Sequence, residues 1–205
     1  MQLQSFARGA VACAIVSVGV AAHAADFTFS GNINLNTDVV KITFSVNTDA
    51  TNVDVWTDSF MSGINYDPIT ALWQKAGNDY VLIGENDDND TIRPATQTYY
   101  DSGFHLNTLA AGDYLFTVGA YPNFAYGTML SDGFDFDHDG TTVTAISDWC
   151  QPASNNCTDQ KGTFWRVNLS GVDVAAPAVP EPSTYALMAF GLGALGWATR
   201  RQKKS

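Results

Sequence analysis

Val40, Ile42, Phe44 and Val46 alternate with Lys41, Thr43 and Ser45. A repeat of two puts every apolar side chain of such a segment on one face. Only a half-buried β-strand uses that pattern. The same alternation runs through Asp26–Leu35 by Phe27, Phe29, Gly31 and Ile33. Val53–Thr57, Ile69–Trp73, Tyr80–Ile83, Tyr114–Tyr121, Thr142–Ile146 and Phe164–Val174 are further expected strands. Lys75-Ala-Gly-Asn-Asp79 reads as the turn of a hairpin. No window of useful length carries a helical period. Turn residues recur every 8–12 residues or so, which predicts an all-β fold, a single β-sandwich of jelly-roll or Greek-key type.

Leu109-Ala-Ala-Gly-Asp-Tyr114 has the Leu-x-x-Gly-x-Tyr spacing of a tyrosine corner. There a tyrosine hydroxyl bonds back to upstream backbone and pins a crossover between sheets. Tyr114 is therefore expected to be structural.

Both ends of the chain differ from this body. Met1–Ala24 has one cation, Arg8, an apolar stretch from Ala10 to Ala22, and Ala22-His-Ala24. That order reads as a secretory signal peptide over 1–24 with an A-x-A cleavage site; the alternative is an uncleaved anchor. The other end reads Val179-Pro-Glu-Pro-Ser-Thr184, then an uncharged run from Tyr185 to Ala198, then Arg200-Arg-Gln-Lys-Lys204. Proline fixes φ and has no N–H, so Pro180 and Pro182 hold the first part extended. A membrane helix is expected over 184–199, with the basic tail 200–205 in the cytoplasm. The run is shorter than the ~20 residues usual for a span. Glycines tolerated in lipid and snorkelling arginines help it reach; an amphipathic helix packed on the body is the alternative. Residues 25–174 are then the domain, and 175–183 a Pro/Ala linker.

These C-terminal residues resemble the sorting signal of PEP-CTERM proteins. Pro180, Glu181 and Pro182 stand at that family's motif positions, and the likeness covers about the last 27 residues. It implies an exported chain, held briefly in the inner membrane and recognised by a membrane-embedded cysteine transpeptidase, the exosortase. The three residues are substrate positions, not catalytic ones. Bacteria with this signal usually make exopolysaccharide, so the resemblance also implies a matrix partner. The body's Asn65–Trp73, Ile83–Asp88, Leu109–Tyr114 and Trp165–Val174 resemble bodies of other PEP-CTERM proteins. More distantly they resemble bacterial pre-peptidase C-terminal domains, which are calcium-binding β-sandwiches.

Composition narrows the function classes. The chain has 10 Lys and Arg against 21 Asp and Glu. Five of the cations sit in the two ends, so the body from Asp26 to Asp173 keeps five against twenty acids, a net of −15. Such a surface repels phosphate backbones, which excludes a nucleic-acid partner. It suits divalent cations and solubility. Cys150 and Cys157, an even pair in an exported chain, are expected to form one disulfide.

Two acidic stretches are candidate Ca2+ sites. Asp135-Phe-Asp-His-Asp-Gly140 matches the front of a calcium loop, with Asp135, Asp137 and Asp139 at alternate positions and a glycine sixth. Ile146 occupies the twelfth position, where a glutamate belongs, so Asp148 would stand in. The flanking strands speak against an EF-hand. Glu85, Asn86, Asp87, Asp88 and Asp90 form the second candidate, a run of oxygen ligands suited to a hard cation. Solvated polar loops are the alternative for both.

Catalysis finds little support. His23 lies in the signal, leaving His105 and His138. Ser102 and His105 lack a triad context, and no Gly-x-Ser-x-Gly elbow exists. The sequence therefore predicts a non-enzymatic surface or matrix protein. A calcium-dependent carbohydrate-binding module is the second reading, and a secreted hydrolase using paired carboxylates the third.

Overall fold

The computed structural model describes residues 25–151 and 161–178. It contains two antiparallel sheets. The strands are β1 (Ala25–Asn32), β2 (Val40–Val46), β3 (Ala50–Thr57), β4 (Pro68–Ala76), β5 (Asp79–Asn86), β6 (Gly103–Leu109), β7 (Gly112–Ala120), β8 (Phe164–Val172) and β9 (Val174–Pro177). One sheet has the order β1-β8-β3-β6 and the other β5-β4-β7-β2-β9. The described residues contain no α-helix, only 3-10 turns.

The alternation in β2 does what its period dictates. Ile42, Phe44 and Val46 are buried while Lys41, Thr43 and Ser45 face outward. Their apolar face meets Val53 and Val55 of β3 and Val167 and Leu169 of β8, with Leu72, Phe116 and Val118 completing one cluster between the sheets. Each such side chain contributes about 1.5–3 kcal/mol by leaving water. The layers are the expected sandwich-like pair.

β7 departs from alternation, with Tyr114 to Ala120 all buried. Its outer face is covered by the long β7–β8 connection. Phe134 from that connection packs on Trp73 and Leu115, and the Trp73 Nε1–H donates to Thr117 Oγ1 at 3.0 Å.

The tyrosine corner forms. Tyr114 Oη donates to Ala110 O at 2.7 Å, across the two-residue step from β6 to β7. Burial raises the Tyr114 pKa above the ordinary tyrosine value, with the nearby Asp49 adding to the shift. Tyr114→Phe is expected to lower stability by about 1 kcal/mol, because it removes one hydrogen bond and leaves the Ala110 carbonyl to be resolvated. Urea unfolding monitored by circular dichroism reads this as a lower midpoint with an unchanged slope.

The structure corrects the strand list in three places. Thr142–Ile146 is not a strand. The Asn36 side chain straps it instead, donating to Thr142 O at 3.1 Å and accepting from Thr144 N at 2.9 Å. Backbone pairing is limited to one antiparallel bridge, Leu35↔Ala145, with Asn36 N donating to Thr144 O and Ile146 N to Asn34 O, both at 2.9 Å. β6 is an additional strand. Residues 175–177, expected as linker, belong to β9, which pairs with β2 from Ser45↔Val174 to Ile42↔Pro177. β9 is an edge strand, where the missing N–H of Pro177 costs no ladder bond. The hairpin at Lys75–Asp79 is present, turning at Gly77 with φ +63°.

The pairings define two poles. Short turns join β4 to β5, β6 to β7 and β8 to β9 at one pole. The opposite pole collects the ends of β1, β3, β5, β7 and β9 and the starts of β2, β4, β6 and β8. Every long connection lies there, and so does the exit of the chain toward its C-terminal segment.

Candidate metal centre

Asp67 immediately precedes β4, and Asp87 and Asp88 immediately follow β5. The β4–β5 pairing, with Thr70 opposite Asn86, brings those strand ends side by side. Asp67, Asp87 and Asp88 each offer a ligand atom, and the three atoms lie within 4.8 Å of one another. They form a metal-sized group among the described residues.

Asp67 is only 3% exposed. Its backbone is fully engaged. Its N–H donates to Gln151 Oε1 at 3.1 Å, and its carbonyl accepts from Tyr121 N at 2.9 Å and Gln151 Nε2 at 3.2 Å. Its side chain is not. Asp67 Oδ1 and Asp87 Oδ1 are buried oxygens without a hydrogen-bond partner. A carboxylate held out of water with open lone pairs costs free energy unless a proton or a cation meets it.

The ionisation energetics agree. Burial, then the carboxylates of Asp88, Asp87 and Asp101, push the Asp67 pKa up to about 8, against a partial opposing pull from Lys161. Burial and the neighbours Asp87 and Asp90 push Asp88 up to about 6. Burial raises Asp87 too. A hard divalent cation takes oxygen ligands of this kind, with backbone carbonyls and water completing its shell. These residues fit such an ion.

The rest of the second acidic stretch is otherwise employed. Glu85 Oε1 accepts from Ala125 N at 2.6 Å, and burial raises the Glu85 pKa in spite of that bond. Asn86 O accepts from Ser102 Oγ at 2.9 Å. Asp90 is exposed beyond the group. Asp101, buried nearby, is saturated: it accepts from Ser59 N, Phe60 N, Thr98 N and the hydroxyls of Thr57 and Thr98. It ties the β3–β4 connection to the β5–β6 connection.

The first acidic stretch does not converge. Asp137 Oδ2 accepts from Phe134 N at 2.9 Å and Asp139 Oδ1 from Thr141 N at 2.8 Å, so both cap their own turns. These bonds to Thr141 lower the Asp139 pKa. Gly140 makes the sharp turn with φ +78°. Asp135 lies in a 3-10 turn, and Asp148 is exposed at the end of another. Alternate spacing aims side chains at one point only if the backbone wraps around it; here a 3-10 turn intervenes.

Asp67 was not among the expected ligands. Its signal in the sequence is an acid set against Pro68 at a strand start, one hairpin before the acidic run. Cys157 lies outside the described residues, as do Pro180, Glu181, Pro182, the apolar run and the signal peptide. Among the described residues no helix is long and apolar enough to cross a membrane.

The segment that follows β9 is the part of the chain that a known family model matches. The family model for the PEP-CTERM protein-sorting motif matches residues 178–202. The chain carries a PEP-CTERM sorting signal. The match begins at the residue after β9, at the pole that also bears Asp67, Asp87 and Asp88. No curated protein and no solved structure matches the chain. The PEP-CTERM signal marks an exported, membrane-anchored precursor that an exosortase processes for the cell envelope.

Proposed function

We propose that this chain is a non-enzymatic cargo of the exosortase route, delivered as a calcium-stabilised β-domain to the cell surface or extracellular matrix. The PEP-CTERM match directly after the last strand carries the reading. The sheet pairing reaches Ala178, whose N–H donates to Lys41 O at 2.8 Å. The recognition residues Pro180, Glu181 and Pro182 follow within four positions along the chain. An enzyme that cuts in the membrane therefore meets its substrate without unfolding the cargo.

Calcium is the second part of the proposal. Asp67, Asp87 and Asp88 would hold it, and the ion would bridge the β3–β4 and β5–β6 connections. An exopolysaccharide partner follows from the company this signal keeps. A disulfide between Cys150 and Cys157 would close the remaining loop; reduction would then add two hydrogens to the intact mass.

Mass spectrometry of protein recovered from the envelope tests the route. The expected species lacks residues 1–24 and ends near Pro182, with the apolar run and the basic tail gone. Recovery of the uncut chain from the cytosol would overturn it.

A further inference from the structure

We infer that the pole bearing the long connections docks onto the lipid surface while the precursor is anchored, through an apolar patch of Met61, Ile64 and Tyr99. The inference rests on the anchored-precursor reading.

Ile64 is 64% exposed, Tyr99 55% and Met61 46%. Such side chains in one patch mark an interaction site more often than a solvated surface. The patch is built rather than loose. Phe60 is buried beneath it, 5.2 Å centroid to centroid from Tyr99 and 5.1 Å from Tyr100. Ser62 N donates to Thr98 Oγ1 at 3.1 Å, and Asp101 clamps the two connections together. Met61 and Ser62 are held at φ +52° and +55°, a conformation that side chains rarely adopt without being forced. Lys161, itself buried, donates to Gly63 O at 2.8 Å and so pins the connection that bears Met61 and Ile64.

The tether identifies the occupant. Only six residues, 179–184, separate Ala178 from the apolar run that starts at Tyr185. Fully extended, they reach at most about 25 Å. β9 leaves the sheet at the same pole as Met61, Ile64 and Tyr99. The opposite pole stands farther out by the length of a strand, about 25–30 Å for the nine residues of β7. A bilayer lies within reach of the patch and beyond reach of the Gly77–Asn78 turn in that pose. Tyrosine and aliphatic side chains at such a height enter the headgroup layer, where tyrosine is favoured.

The test uses the full precursor, made without an exosortase and kept in vesicles of phosphatidylethanolamine with a minority of phosphatidylglycerol. The photo-crosslinking residue p-benzoylphenylalanine replaces Ile64, Tyr99 or, at the far pole, Asn78. The expected result is lipid adducts at 64 and 99 and their loss at 78. Equal lipid adducts at all three positions, or protein adducts in place of lipid at 64, overturn the inference while anchoring stands. A chain washed off the vesicles by alkaline carbonate removes both the inference and the anchored-precursor reading. A melting curve for each variant shows that the body remains folded.

Discussion

Replacing Pro180, Glu181 and Pro182 with alanine is expected to abolish processing and leave the precursor in the inner membrane. Alanine gives up the fixed φ of both prolines and the one carboxylate of the motif, and it favours helix. The apolar run could then extend upward as helix through the recognition site. The body should not notice. β9 ends at Pro177, and Ala178 keeps its bond to Lys41, so the ladder to β2 is untouched. Cell fractionation should show full-length chain in the membrane and none released, with an unchanged melting temperature for the body. Normal release of a cut product would sink the sorting reading. A lowered melting temperature would mean that the motif also packs on the domain.

Calcium is expected to raise the melting temperature of the wild-type domain, and Asp67→Asn to remove that response. A ligand at a hundredfold its dissociation constant adds about 2.7 kcal/mol, or about 5–10 °C for a domain of this size. The pH dependence has a definite sign. The folded-state pKa of Asp67, about 8, and of Asp88, about 6, stand above the ordinary aspartate value of 3.8. Raised carboxylates favour the folded state when protonated. In EDTA, stability should therefore be highest below about pH 4 as far as these groups decide it, and fall as pH rises through 6 and 8. Calcium replaces the lost protons, so the fall should flatten in its presence. Asp67→Asn, neutral at every pH, should melt higher than wild type in EDTA at pH 8 and gain nothing from calcium. Differential scanning calorimetry at pH 5 and pH 8, with and without the ion, reads all four states. A wild-type midpoint indifferent to calcium at pH 8 would reject the site.

Much of this architecture is written locally. β2 needs only its own alternation to declare a buried face, and Leu109–Tyr114 needs only its spacing to declare a corner. The sorting signal is equally local, because it lies in one short linear segment, residues 178–202. Its three parts are legible without any fold. Thr142–Ile146 shows the limit. Its β-branched residues suit a strand, but its backbone partner is only the short stretch 34–36, so pairing stops at one bridge, Leu35↔Ala145, and the Asn36 amide holds the rest. Val174–Pro177 shows the converse: small residues and proline suggest a linker, yet β2 offers an open edge and the chain takes it.

The sequence by itself determined the β-rich class, the export route and the acidic character of the cargo, since each depends on periodicity, order or summed charge along the chain. Only the tertiary structure decided which acids act together. Asp67 lies twenty residues from Asp87, and the β4–β5 hairpin alone closes that distance. Asp135, Asp137 and Asp139 are near neighbours, yet Asp137 and Asp139 spend their carboxylates on their own turns. A cation responds to separation in space and to unpaired buried oxygens, and neither is a property of neighbouring letters.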